Sequence, residues 1–205
     1  MKVTLLYDGT YASNCYLVTD EGETAAVLID PSVPPELAER TVGALPRIDA
    51  ILLTHGHFDH MLALDAWRQR TGAPVLISAY DAPALGNPAL SCYRSFLGRE
   101  ITHAPADRLL AAGDTVAVGE ESLTVLETPG HTPGSLTFDS GELLFTGDTL
   151  FAGGGFGRYD LPGGNGDLLV VSLGDLMMIE GERRVLSGHG EETTLSDAKK
   201  YYNFS

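Results

Sequence analysis

Thr54-His55-Gly56-His57-Phe58-Asp59-His60 places three imidazoles and a carboxylate within six residues. Just before it, Ile48-Asp49-Ala50-Ile51-Leu52-Leu53 is an apolar run that reads as a buried strand. Neutral imidazole and carboxylate are the usual ligands of zinc and its neighbours. Four such groups crowd together only around a cation, so the stretch reads as part of a metal site at a strand end. In a chain of this composition an accidental H-x-H-x-D-H has odds on the order of one in a few thousand, which argues against a merely solvated histidine-rich loop.

The rest of the chain supplies more donors of the same kind. His131 lies in Thr128-Pro129-Gly130-His131-Thr132-Pro133-Gly134, Asp148 in Thr146-Gly147-Asp148-Thr149, and His189 in Ser187-Gly188-His189-Gly190. Each follows a strand-like run within a glycine-flanked turn, and glycine lets the backbone turn sharply beside a site. A sheet architecture would bring all of these strand ends to one edge. His55, His57, Asp59, His60, His131, Asp148 and His189 make seven donors. That is too many for one tetrahedral ion and suits two ions sharing a bridge.

Between these points the pattern alternates. Val3–Tyr7, Cys15–Thr19 and Ala25–Ile29 read as strands, joined by turns at Asp8-Gly9 and Asp20-Glu21-Gly22. A helix is expected from Pro35 to about Leu45, opened by proline in its first turn. A second runs from Leu62 to Arg70 with Leu62, Ala66 and Trp67 inward, and Pro74–Ser78 follows as a strand to complete a β-α-β unit. Residues 81–108, with Pro83, Pro88 and Pro105, read as a loop with short helical pieces, a candidate lid or binding segment. Strands are expected at Thr115–Val118, Leu123–Glu127, Ser135–Phe138, Leu143–Phe145 and Arg184–Leu186. Helices are expected at about Asp167–Ile179 and near Leu195–Tyr202. No linker interrupts the pattern, so residues 1–205 read as one domain.

Composition narrows the function classes. The chain has 205 residues, 43% hydrophobic and 20% charged, as ordinary globular proteins do. Its formal charge is −15, with lysine only at Lys2, Lys199 and Lys200. Such a surface repels phosphate backbones and argues against nucleic acid as a partner. Neither a signal-peptide core nor a membrane-length apolar run is present in the sequence, and two cysteines make no disulfide framework. A soluble cytoplasmic location is the expectation; oligomeric state is left open. Cys15 and Cys92 read as inert thiols, and His103 as a surface residue or one behind the site.

The order His55-x-His57-x-Asp59-His60, His131, Asp148, His189 is similar to the signature of the metallo-β-lactamase superfamily. Thr128–Gly134 and Phe145–Phe151 most resemble its glyoxalase II branch, and the similarity extends from Asn14-Cys15-Tyr16-Leu17 to Gly188-His189-Gly190. The resemblance implies an α/β (α+β) αββα sandwich, two mixed sheets face to face with helices outside. It also implies that His55, His57 and His131 hold a first metal, and that Asp59, His60 and His189 hold a second, with Asp148 bridging. The two ions would be divalent, zinc by preference, with iron or manganese as alternatives. Sixteen residues follow His189, which implies a version without the helical glutathione-binding domain of glyoxalase II. Arg158, after the glycine-rich stretch Gly153–Gly157, stands where that branch has a basic residue that touches substrate.

The chemistry so implied is hydrolysis of a small-molecule thioester, such as an acyl-glutathione-like conjugate, by a hydroxide shared between two ions. Asp59 would act as the catalytic residue that orients it. Two alternatives share the ligand pattern: a single-iron persulfide dioxygenase, and a lactone or β-lactam hydrolase.

Overall fold

The computed structural model describes residues 1–6 and 12–202. The first six strands are β1 (Lys2–Leu5), β2 (Tyr16–Thr19), β3 (Ala26–Ile29), β4 (Ile48–Leu52), β5 (Val75–Ser78) and β6 (Arg108–Leu110). They form one sheet in chain order, antiparallel from β1 to β3 and parallel from β3 to β6. The second sheet is built from β7 (Thr115–Val118), β8 (Glu121–Glu127), β9 (Leu136–Asp139), β10 (Leu143–Gly147), β11 (Arg184–Ser187) and β12 (Thr193–Thr194). It is antiparallel except for the parallel pair β10 and β11.

The apolar runs are continuous because both faces of each central strand are covered, and side chains alternate between those faces. Along β4, Ala50 and Leu52 point into the core between the sheets, whereas Ile51 and Leu53 point outward. Along β3, Val27 and Ile29 face the other sheet, and Ala26 and Leu28 face the helices. Phe138, Phe145, Val125 and Leu186 meet them from the second sheet.

Two helical layers close the outer faces. On the first sheet lie α1 (Pro35–Val42) and α2 (Leu64–Thr71), with the short α3 (Ala82–Leu85) and α4 (Tyr93–Leu97) beside them. On the second sheet lie α5 (Gly166–Met177) and α6 (Leu195–Lys199). Leu169, Leu173 and Leu176 of α5, spaced on one helical face, pack on Leu144 and Val185. The Asn165 side chain caps that helix by accepting from Leu168 N at 3.1 Å. The result is the four-layer αββα sandwich expected from the sequence. Among the described residues no helix is long and apolar enough to cross a membrane.

Some expectations need correction. Leu62 is 43% exposed and Ala66 is also exposed. After His60 the chain first turns, with Ala63 N donating to Pro31 O, so helical periodicity starts only at Leu64. Leu64 and Trp67 then form the inward face. Strands β6 and β12 are not legible in the sequence because three and two residues carry no readable alternation. The first helix ends at Val42, three residues before Leu45, where Gly43 takes φ +77°. Tyr7 and the expected Asp8-Gly9 turn lie outside the described residues.

Trp67 is fully buried and its Nε1 donates to Val33 O at 2.6 Å, tying α2 to the segment after β3. Trp67→Ala should lower the unfolding free energy by about 3–5 kcal/mol. Urea denaturation reads this directly, and a loss below about 1 kcal/mol would show that this layer is not anchored there.

Candidate metal centre

Four loops at one end of the two sheets carry the donors. The β4 loop brings His55, His57, Asp59 and His60, the last two within a single 3-10 turn, Phe58–His60. His131 comes from the β8–β9 loop, Asp148 follows β10, and His189 follows β11. Parallel pairing of β3 with β4 and of β10 with β11 puts these strand ends on the same edge. The two sheets are also joined there, since Leu136 N donates to Thr54 O at 2.8 Å.

All seven sequence-predicted donors converge. His131 Nε2 lies 2.9 Å from His57 Nδ1 and 3.2 Å from His55 Nε2. Asp148 Oδ2 is 3.4 Å from His131 Nε2 and 3.5 Å from His189 Nε2, while its Oδ1 is 3.3 Å from His60 Nε2. Asp59 Oδ2 is 3.2 Å from His189 Nε2 and 4.0 Å from His60 Nε2. Asp148 therefore stands between a His55/His57/His131 group and an Asp59/His60/His189 group.

The hydrogen bonds fix which nitrogens are bare. His131 Nδ1 faces the Arg158 carbonyl oxygen at 2.6 Å, so it carries the proton and Nε2 carries a lone pair. Thr54 Oγ1 donates its one hydrogen to Asp30 Oδ2 at 2.7 Å, so at 3.1 Å it accepts from His55 Nδ1, leaving His55 Nε2 bare. His60 Nδ1 donates to Asp30 Oδ2 at 2.8 Å, which leaves Nε2 to face Asp148 Oδ1 at 3.3 Å, where it holds a proton or a cation. The lone pairs of His55 Nε2 and His131 Nε2 face each other across 3.2 Å. His57 Nε2, His60 Nε2 and Asp148 Oδ1 are buried without a hydrogen-bond partner among the described residues. Such an arrangement is repulsive until a positive charge enters it. Tetrahedral bonds of about 2.0–2.1 Å hold ligand nitrogens about 3.3–3.4 Å apart, close to the spacing seen. The residues fit divalent metal.

The titration behaviour has the same origin. Burial, reinforced by the neighbouring histidines, holds His55 well below the usual imidazole range and His57 at about 3. Burial opposes charge on His60 and His189 too, but carboxylates outweigh it. Asp30, Asp148 and Asp59 push His60 well up, and Asp148 and Asp59 raise His189 to about 9. For Asp148 and Asp59 burial is overcome by His60 and His189, and both carboxylates are held ionised below their ordinary range. His55 and His57 are thus neutral imidazoles, while His60 and His189 hold protons against the Asp59 and Asp148 carboxylates, in places that a cation would take.

With this geometry in hand, comparison with known proteins is decisive. The family model described as "Metallo-beta-lactamase superfamily" matches residues 8–189. The chain belongs to the metallo-beta-lactamase superfamily. Among its relatives, the Bacillus subtilis protein named "Probable metallo-hydrolase YqgX" is 41% identical over 70% of this chain and 69% of its own length. A hydroxyacylglutathione hydrolase of Cereibacter sphaeroides is 39% identical over 90% of this chain, which covers only 64% of that protein. Of solved structures, BLEG-1 B3 metallo-beta-lactamase superposes with a TM-score of 0.88 at 34% identity, covering 97% of both chains. TTHA1623 in a di-iron-bound form gives 0.80 at 35% identity, covering all of both chains. ETHE1 from Myxococcus xanthus gives 0.74 at 31% identity, with 98% of this chain and 83% of that one covered.

Several residues that hold this superfamily site in place are not among those singled out in the sequence. Asp30 ends β3 with φ +53° and accepts from Thr54 N, Thr54 Oγ1 and His60 Nδ1. Asp81 accepts from Gly56 N, Gly134 N and Thr132 Oγ1 at 2.7–2.8 Å, clamping the His57 loop to the His131 loop. Asn14 and Tyr16 both donate to Ser187 O, and Asn14 also to Gly190 O, fixing the His189 turn. A signal exists: Asp30, like Asp148, is an acid directly after an apolar strand. Gly188 leaves no room for a side chain, because a Cβ there would collide with Asp148 Oδ1 and His60 Cε1.

A cavity of about 680 Å³ opens over the donors. The 81–108 segment faces it through Cys92, Phe96 and Leu97, and Leu62 and Arg158 also line it. Arg158 turns its Nε and Nη2 to Asp160, each at 2.7 Å. Both cysteines are buried and free, and burial pushes the Cys15 thiol up to about 12. His103 is not at the surface: it is buried, its Nε2 3.0 Å from Tyr93 Oη and its Nδ1 3.0 Å from Asp65 Oδ2. It ties the segment to α2 because burial of Tyr93 brings its ring alongside.

Asp30→Asn replaces one accepting oxygen with an amide that cannot accept from Thr54 or His60. It should weaken metal affinity about 10–100-fold in a chelator competition. His103→Ala should leave metal stoichiometry unchanged; wild-type affinity in the Asp30 variant would remove its supporting role.

Proposed function

We propose that this metallo-hydrolase cleaves an acyl thioester with water, taking residues 1–205 as one catalytic domain. His55, His57 and His131 would hold one divalent cation and Asp59, His60 and His189 a second, zinc by preference, with Asp148 shared. When bound, such ions supply a water acidified towards neutrality and Lewis acidity for the scissile carbonyl. Asp59, kept ionised beside His189, orients the attacking water by accepting its hydrogen bond. Arg158, beside Phe96 on the cavity wall, meets the substrate through the flank of its side chain, its guanidinium paired with Asp160. Asp30 and the Arg158 carbonyl keep the ring protons of His60 and His131 on Nδ1, so that Nε2 points into the site. The C–O bond forms, the C–S bond breaks, and the products are a carboxylate and a thiol.

The observation that carries the thioester reading is the lack of an uncommitted acid. Among the described residues lining the cavity, every histidine and aspartate belongs to the donor set, and the remaining titratable groups are Arg158 and the buried Cys92. An amine leaving group needs a proton as it departs, whereas a thiolate, with a solution pKa near 8.5, leaves without one. Thioesters therefore suit the site better than amides or β-lactams. The second donor group supports hydrolysis over an oxidation that needs one iron, and a reducing cytoplasm suits a thiol product.

Metal-loaded protein should hydrolyse a small acyl thioester at least about a hundredfold faster than the matching amide or a β-lactam. Asp148→Ala should cut kcat/KM by more than about a thousandfold and lower metal content per chain. A full metal complement in that variant would overturn the shared-ligand role. One iron per chain by elemental analysis, with no thioester turnover, would turn the assignment to oxidation of a thiol-bound sulfur.

A further inference from the structure

The cavity over the donors has two unlike sides. Its floor is the cluster of histidines and aspartates, and much of its lining is apolar: Phe58, Leu62, Phe96 and Leu97 at α4 and the loop before α2, and Phe151, beside His189, with Leu161. Three of these are unusually exposed for their type, Leu62 at 43%, Phe96 at 50% and Leu97 at 42%. The Phe96 ring stacks on Phe58, with centroids 5.5 Å apart and an interplanar angle of 29°, so the wall is organised by its own side chains. Tyr93 also packs on Phe58, with ring centroids 5.7 Å apart, and is itself held by His103. Exposed apolar side chains gathered at the mouth of a polar site mark a ligand surface rather than scattered surface residues.

Charge on that wall is cancelled. Arg158 is the one lysine or arginine among the described lining residues, and its guanidinium grips Asp160 through two bonds of 2.7 Å. Its Cζ sits 6.0 Å from the Phe96 ring centroid, so the pair lies along the apolar wall. Swinging Arg158 towards a substrate carboxylate would leave Asp160 unpaired beside the same anion. The pair is exposed and weak, but it keeps the Asp160 charge beside any anion that Arg158 would attract, which reduces the net attraction.

We infer that the substrate arm running from the scissile carbonyl towards α4 is uncharged and apolar, a medium-length aliphatic or an aromatic acyl group, held by Phe58, Phe96, Leu97 and Leu62. This rests on the hydrolase reading for the reacting bond, but the apolar wall stands on its own observations. Arg158 acts on this arm as a closed pair with Asp160 and not as an anchor for an anionic carrier.

The test uses metal-loaded full chain and straight-chain hydroxamates, whose headgroup ligates metal and whose tail explores the wall. Calorimetry from acetohydroxamate to octanohydroxamate should show affinity rising about two- to fourfold per methylene over several carbons. A terminal carboxylate at equal length should bind at least about tenfold more weakly than the methyl-terminated compound. Phe96→Ala with Leu97→Ala should flatten the chain-length series, and Arg158→Met should not weaken the carboxylate-ended compound. A flat series, or tighter binding of the carboxylate-ended compound that Arg158→Met abolishes, would overturn the inference. Thioesters of a neutral thiol should follow the same order in kcat/KM, hexanoyl above acetyl. If no thioester turns over while the binding series keeps its slope, the hydrolase reading fails and the apolar-arm site stands. Thioester turnover with a flat series keeps the hydrolase reading and removes the apolar arm.

Discussion

Seven ionisable donors packed at one end of two sheets create a constraint that everything around them serves. Bare nitrogens on His55 and His131 stand 3.2 Å apart, and His60 Nε2 stands 3.3 Å from an Asp148 oxygen. A proton on His60 bridges to Asp148 and one on His189 to Asp59, while His55 Nε2 keeps a bare lone pair turned towards His131. Cations binding here would displace those protons, so metal affinity and pH are linked. The core and the buried carboxylates Asp30 and Asp81 must hold this crowded donor set in place.

The architecture meets this demand through strand ends. A parallel pair puts two C-terminal ends side by side, and each half of the sandwich contributes one such edge: β3 and β4 in the first sheet, β10 and β11 in the second. Asp30 at the end of β3 orients His60 from the β4 loop, and Asp148 at the end of β10 lies beside His189 after β11. Gly147, with φ +49°, lets β10 pack directly on Thr54, so the two edges meet without a gap. Apolar side chains behind them, such as Leu52 and Phe145, fill the space between the sheets and make the edge rigid. Rigidity here is functional, since donor spacing sets metal affinity.

What can be read in the sequence follows from range. His55 to His60 are legible because they are neighbours, and the two-faced burial of β3, β4 and β5 is legible as unbroken apolar runs. His131, Asp148 and His189 are legible through a shared local context, a strand followed by a glycine turn. Asp30 and Asp81 share part of that context, but their role lies in what they accept from other loops, and no local pattern encodes a partner 24 or 51 residues away. Leu62 departs from its expected burial for a related reason: its exposure depends on where the turn after His60 hands over to α2, and that point is set by the Ala63 contact with Pro31. His103 reads as a loop residue because its partners, Tyr93 and Asp65, are defined only once the segment folds over α2.

Net charge is legible too, yet it reaches only so far. The formal charge of −15 is a sound argument against a polyanion, which would lie along much of the surface. For a small substrate it decides little, because at physiological salt a charge is screened beyond about 8 Å. Outside the donor set, Arg158 is the one charged side chain among the described residues lining the cavity, and Asp160 offsets its charge. Two divalent ions would outweigh the two carboxylates of the donor set, Asp59 and Asp148, and leave the reacting end of the pocket cationic. A substrate therefore meets one polar end, where bonds change, and one uncharged wall, where contact area decides. Selectivity in such a pocket is governed by the volume and shape that Phe58, Phe96 and Leu97 leave open, and the acidic surface beyond stays a matter of solubility.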